Sequence, residues 1–313
     1  ALSHEYSYYY VTYPDDSDDA EDIIQRIHYA RSDHKGHHKP NELIHLRKEA
    51  LEEARRFKEV AHRIEEAILD NSLELNFQPI YSFEKNRITS LEVLSRLKDG
   101  KHNYINPEYF IHVAEINHTI IQLSRQMFEK TCRFAVDNNI FDRGINDMNI
   151  NISPIQCQDK HLVQDLKKIA AKYGIPFERF HFEITESRLT DEKAVRETLT
   201  KLKENGAKIA LDDFGTGYSN IASIMLMPID FVKIDKSLLW SYASGDNEFL
   251  NELMPMIRGE GKKIIAEGIE TEDHIEILRR MGGDFLQGYY YSKPLNEENF
   301  IRFLDARNNG AEA

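Results

Sequence analysis

From Leu73 onward, short apolar runs alternate with amphipathic segments, and this alternation restricts the fold more than any other feature of the chain. The candidate strands are 74–81, 87–97, 148–152, 180–184, 208–212, 231–234, 262–266 and 285–287. Helical patterns lie between most of them, at 107–116, 120–138, 160–173, 191–205, 247–260 and 272–281. Eight strands alternating with helices over about 230 residues match the size of a (β/α)8 barrel. Only Ser82 to Asn86 separate the first two strands, too few for a crossover helix, so that pair should be antiparallel. The expected fold class is therefore α/β, a TIM-like (β/α)8 barrel with an antiparallel first strand. A doubly wound open sheet is the alternative.

The chain upstream has a different character. Ser7 to Thr12 reads as a strand, and Pro14-Asp15-Asp16-Ser17 as a turn. Asp18 or Asp19 would cap a helix running through Ile23, Ile24 and Ile27, and Asp33 to Asn41 reads as a loop. One strand and one helix cannot close a core alone. The division predicted is a small α+β remnant over 1–43, a connecting helix over 44–71, and the barrel over 72–313. The helical pattern itself begins at Glu42 and runs to Asn71 without Gly or Pro. Its heptads are irregular, which favours a solvated connector over a coiled-coil stalk.

Composition narrows the class of partner. The formal charge of −13 repels long nucleic acid and an anionic membrane, so a phosphate-bearing substrate would need local cations. Cys132 and Cys157 are the only cysteines, and no CxxC pair exists. That argues against a disulfide framework or zinc ribbon and fits a cytoplasmic setting. No apolar run is long enough to span a bilayer, and Ala1 to Glu5 lack the features of a signal peptide, although missing upstream regions could tether a longer protein.

The chemistry collects at strand ends, which in a barrel converge on one mouth. Glu92 lies within the second strand, and Asn151, Glu183, the adjacent Asp212 and Asp213, Lys233 with Asp235, and Glu267 with Glu270 fall at or near the ends of later ones. Singly, each reads as well as a helix cap or a surface charge. Jointly, so many carboxylates would repel one another unless cations intervened. All the ligands are oxygen, which implies hard ions such as Mg²⁺ or Mn²⁺, and adjacent aspartates suit two of them. Two metals and a lysine point to phosphodiester hydrolysis by an activated water. Lys233 would orient that water or accept its proton, or else form a structural ion pair with Asp235 or Glu267. Arg96, on one strand face with Glu92 and Leu94, would fork a substrate phosphate, unless it pairs with a nearby carboxylate. The glycine-containing segment after Asp213 reads as a lid that Glu186 would pin; otherwise Glu186 merely begins a helix.

Several motifs occur together in order: Gln78-Pro79-Ile80, Glu92-Val93-Leu94-Ser95-Arg96, Asn151-Ile152-Ser153, Glu183-Ile184-Thr185-Glu186, Asp212-Asp213-Phe214-Gly215, Lys233-Ile234-Asp235, Glu267-Gly268-Ile269-Glu270 and Gln287-Gly288-Tyr289. In these the chain resembles the EAL domain of bacterial cyclic di-GMP signalling, from about Phe57 to Phe303. The resemblance implies a phosphodiesterase that opens cyclic di-GMP to linear pGpG with Mg²⁺ or Mn²⁺. It implies one ion on Glu92, Asn151, Glu183 and Asp212, and a second on Asp212 and Asp213. Lys233 would contact the water, and Glu267 would bind metal or water nearby. Gln78, Leu94, Arg96, Asp235 and Gln287 would serve the substrate side, with Glu270 supporting. A homodimer is also implied. The signature reads Glu-Val-Leu where the family has Glu-Ala-Leu, and Val93 should face away from the metals. Tyr13-Pro14-Asp15-Asp16, the following helix and Lys35-Gly36 resemble the end of a GGDEF domain. Non-catalytic readings are a cyclic di-GMP receptor and a protein-interaction module.

Overall fold

The structure is a computed structural model that describes residues 8–32, 43–46, 48–185, 192–215 and 227–308. The chain divides into two compact units, Ala1–Glu65 and Glu66–Ala313. Among the described residues, no helix is long and apolar enough to cross a membrane.

In the first unit, β1 (Tyr8–Tyr10) pairs in parallel with β2 (Leu43–His45). The helix between them, Ala20–Ser32, is capped by Asp19, whose carboxylate accepts the Glu21 amide at 2.9 Å. Arg26 on this helix is buried. Its guanidinium donates to the carbonyls of Leu46 (2.9 Å) and Asp16 (3.1 Å) and pairs with Asp22 at 2.6 Å. Residues 43–45 are thus strand, not the start of the connecting helix expected from residue 42. Pairing with a segment some thirty residues upstream overrides the local helical pattern. The long helix begins instead at Lys48 and ends at Asp70. The loop expected over 33–41 lies outside the described residues.

In the second unit eight strands close a barrel: β3 (Glu74–Ser82), β4 (Arg87–Arg96), β5 (Asp147–Asn151), β6 (Phe180–Thr185), β7 (Lys208–Phe214), β8 (Phe231–Ile234), β9 (Lys263–Ala266) and β10 (Phe285–Leu286). Strands β4 to β10 run parallel in chain order, while β3 is antiparallel to both β4 and β10 and closes the ring. A short β11 (Leu295–Asn296) pairs with the beginning of β3. The short turn after β3 therefore does what its length requires.

Alternation along each strand builds two cores. On β6, Phe180 and Phe182 face outward onto Phe128 of the helix Ile120–Asp137, with centroids at 4.7 and 6.2 Å. Phe77 on β3 stacks on Phe134 of the same helix at 3.9 Å. Burying each such ring contributes about 1.5–3 kcal/mol. The opposite set points into the barrel, where Ile80, Ala210, Phe231 and Ile265 form an apolar floor with Phe285 packed against it. His181 packs on Phe231 in this layer, the rings tilted by 30° with centroids 4.8 Å apart. Above the floor the interior turns polar, and the site lies there.

The helices that open at the mouth have local starts. Ser153 and Gln156 form a reciprocal capping box on the short helix Pro154–Cys157. Asn106 caps Pro107–Ile116, accepting the Glu108 amide at 2.9 Å. Lys130 holds the end of the incoming helix by donating to the carbonyls of Asn71 and Leu73, each at 2.6 Å.

Candidate metal centre and adjoining cleft

Four barrel strands and the segment after β9 aim charged side chains at one point. The Lys233 ammonium lies 2.8 Å from Glu267, 2.9 Å from Asp212, 3.0 Å from Glu183 and 3.5 Å from Glu92. The lysine is 1% exposed and Glu183 is fully buried. Such a ring of carboxylates holds together only around positive charge, and Lys233 supplies one unit of it. Its partners include Glu267 but not Asp235. Asp235 instead caps the helix Lys236–Ala243, accepting from the Ser237 amide at 2.8 Å and from the Ser237 hydroxyl.

Neutral amides hold the ring in place. Glu92 accepts from Asn151 at 3.0 Å and from Gln287 at 2.6 Å. Gln287 also donates to Gln78 at 3.1 Å, and Gln78 donates to the Ser292 carbonyl at 3.3 Å. The approach of Gln287 needs Gly288 behind it, because a Cβ there would meet the Ile269 backbone at 2.2 Å. Asn149 donates to Glu183 at 2.7 Å. No motif singled out Asn149 in the sequence. Period-two alternation in Met148-Asn149-Ile150-Asn151 was the available signal, since it puts Asn149 and Asn151 on one face.

Asp212 and Asp213 pose a geometric problem, because neighbours on a strand point to opposite faces. The structure resolves it with a bulge: the β7–β8 register shifts between Leu211 and Phe214, and Asp213 adopts a left-handed φ of 55°. Both carboxylates then reach the mouth. Among the described residues, two acidic groups lie close enough to share an ion: Glu92, Glu183 and Asp212; and Asp212, Asp213 and Glu267.

The electrostatics point the same way. Burial pushes the Glu183 carboxyl well above the usual range; Lys233 pulls against this, and Glu92 and Asp212 add to it. Burial likewise carries Glu267 up to about 8, and burial with the Asp212 charge carries Asp213 up to about 6. Glu92 is the exception: its burial is outweighed by Lys233 and by hydrogen bonds from Gln287 and Asn151, so its net direction is down. Burial alone would depress Lys233, but Asp212, Glu183, Glu267 and Glu92 together hold it well above the usual lysine range. One ammonium is too little charge for this ring. The Asp212 Oδ1 atom is buried and lies 2.9 Å from that ammonium, which three other carboxylates share. An all-oxygen donor set with more carboxylate charge than one ammonium offsets fits hard divalent cations.

Beside the ring lies a cavity of about 400 Å³, lined among others by Leu94, Arg96, Ile111, Glu115, Asn151 and Asp213. Its wall includes Asn151, which donates to Glu92, and Asp213 of the second acidic group, so a ligand seated there lies next to the cluster. Arg96 is half-buried and donates to the Ser95 carbonyl at 2.9 Å. Glu270 is exposed and belongs to neither acidic group. Glu186 and the lid segment from Thr216 lie outside the described residues.

Comparison with known proteins agrees with this geometry. A family model described as EAL domain matches residues 61–294. The signaling protein YkoW of Bacillus subtilis is 32% identical over 245 residues, 77% of this chain and 30% of its own length. The cyclic di-GMP phosphodiesterase NbdA of Pseudomonas aeruginosa is 27% identical over 297 residues, 94% of this chain and 38% of its own length. The chain thus spans about a third of the length of these curated relatives. Among solved structures, the PaMucR phosphodiesterase in complex with c-di-GMP superposes with a TM-score of 0.70 at 28% identity, covering 77% of this chain and 99% of that one. The EAL enzyme Bd1971 in its cAMP- and cyclic-di-GMP-bound form gives 0.73 at 26% identity, covering 82% and 71%.

Proposed function

We propose, from the premise that this chain belongs to the EAL domain family, that it is a metal-dependent phosphodiesterase which hydrolyses cyclic di-GMP to linear pGpG. The observation that carries the reading is the ring of Glu92, Glu183, Asp212 and Glu267 around Lys233, beside a cavity lined by Arg96, Asn151 and Asp213.

Glu92, Asn151, Glu183 and Asp212 would hold one Mg²⁺ or Mn²⁺, and Asp212 with Asp213 a second, with Glu267 beside it. Bound there, such ions neutralise a phosphate and make a water acidic enough to attack at neutral pH. The protein's own groups do the rest. Arg96 holds a phosphate at the cavity, and Leu94 gives a base an apolar wall. Gln78 and Gln287 brace Glu92 from behind through their hydrogen-bonded chain. Lys233 orients the attacking water by donation. Glu267, the most exposed carboxylate of the ring, touches the water nearest the mouth. Water's oxygen joins phosphorus, one P–O ester bond breaks, and a proton goes to the departing sugar oxygen.

The same reading takes residues 1–43 as the end of a GGDEF-like domain, 44–71 as a connector and 72–313 as the phosphodiesterase unit. It places the protein in the cytoplasm as a homodimer. The test is incubation of purified protein with cyclic di-GMP, with Mg²⁺ or Mn²⁺ and with chelator, followed by chromatography. Release of pGpG only with metal is expected. Intact substrate after long incubation, with binding retained, would make the chain a receptor.

A further inference from the structure

We propose that Asn149 is a positioning residue that fixes the carboxylate of Glu183 for cation binding. The inference rests on the reading that the acidic ring holds divalent ions.

Glu183 is fully buried and held at both oxygens. Its Oε1 accepts from Asn149 Nδ2 at 2.7 Å, and its Oε2 faces the Lys233 ammonium at 3.0 Å. Oε2 is thus the atom aimed into the ring, and Oε1 is the atom by which the side chain is pinned. The two holders differ in what cations would do to them. An ammonium is repelled by divalent ions placed among its four carboxylates, so its grip on Glu183 weakens when the site loads. A neutral amide is not repelled in that way. Asn149 is the partner that keeps Glu183 aimed in the loaded state.

The orientation of the amide carries the same message. Asn149 is 1% exposed, and its Oδ1 is buried with no hydrogen-bond partner. To hold a cation Glu183 must be ionised, and in that state a flipped amide would set a carbonyl oxygen against a carboxylate oxygen, so the donor must face Glu183 and the acceptor is left stranded. An unsatisfied buried acceptor is destabilising, and a side chain present only to fill space would not need one. The backbone supports the placement. Asn149 lies opposite Glu92 on β4 and opposite His181 on β6, one inward position below Asn151. Partners of this kind, which touch the ligand rather than the ion, tune affinity by about 10–100-fold where they have been removed elsewhere.

The experiment measures Mn²⁺ binding by calorimetry on the full chain and on Asn149→Ala and Asn149→Ser, together with the thermal midpoint of each in chelator. The dissociation constant is expected to rise about 10–100-fold in Asn149→Ala. In Asn149→Ser, whose shorter side chain keeps a donor, it should rise less. A role in packing alone would lower the midpoint and leave the affinity of the folded protein unchanged. Wild-type affinity in folded Asn149→Ala overturns the proposal while the metal reading stands. No Mn²⁺ uptake by the unaltered chain overturns the metal reading and this proposal with it.

Discussion

Lys233 touches four carboxylates and has no exposed surface to speak of, so its substitution tests the centre directly. Lys233→Ala is expected to slow hydrolysis by about 10²–10⁴-fold while leaving cyclic di-GMP affinity within a few fold, as read by single-turnover kinetics and calorimetry. Asp213 offers a second test, because its backbone is left-handed. Asn tolerates that conformation as well as Asp does. Asp213→Asn should therefore fold with an unchanged or higher thermal midpoint and lose one equivalent of bound Mn²⁺; full stoichiometry would exclude Asp213 as a ligand. Alternation alone would have sent the two aspartates to opposite faces, so their meeting depended on a bulge that leaves no mark in the residues themselves. Glu92, Asn151, Glu183 and Asp212 were legible because each interrupts or closes an apolar run. Asn149 was visible only as a face-mate of Asn151.

At the level of elements, runs of apolar residues located all eight barrel strands to within two residues at either end, because the parallel strands are buried on both faces. Strand β2 escaped notice: three residues next to a strongly helical segment carry no signal until β1 is beside them. The helix Lys236–Ala243 connects the two scales, since Asp235 opens it by capping Ser237. Asn caps nearly as well as Asp, and Ala does not. Asp235→Asn should keep both the melting point and KM, whereas Asp235→Ala should lose about 1 kcal/mol in denaturant titrations. A raised KM in the asparagine variant would show that the carboxylate meets substrate after all.

For the molecule as a whole, the crowded carboxylates imply a stability that depends on pH and on metal together. A carboxyl whose folded pKa lies above its unfolded value binds more protons when folded, so stability falls as pH rises between the two. Glu267, raised to about 8, and Glu183, also raised, act in this sense. His181, depressed to about 4 by burial, acts oppositely, but only below its unfolded value near 6.5. The informative window is therefore about pH 6.5 to 8.5. In chelator the thermal midpoint should drop across it by roughly 5 °C or more, and excess Mg²⁺ should flatten the slope. A flat profile in chelator would mean that the ring is already neutralised without metal.

The reversed direction of β3 has a mechanical consequence. In an all-parallel barrel, a chain arriving from upstream would join the sheet at the end far from the chemistry. Here β3 starts at Glu74, paired with Arg96, so the polypeptide joins the sheet on the rim that Arg96 occupies. The last turn of the long helix is strapped a few residues away by Lys130. A torque on that shaft is delivered first to the lip that carries Arg96, with no need to pass through the barrel wall.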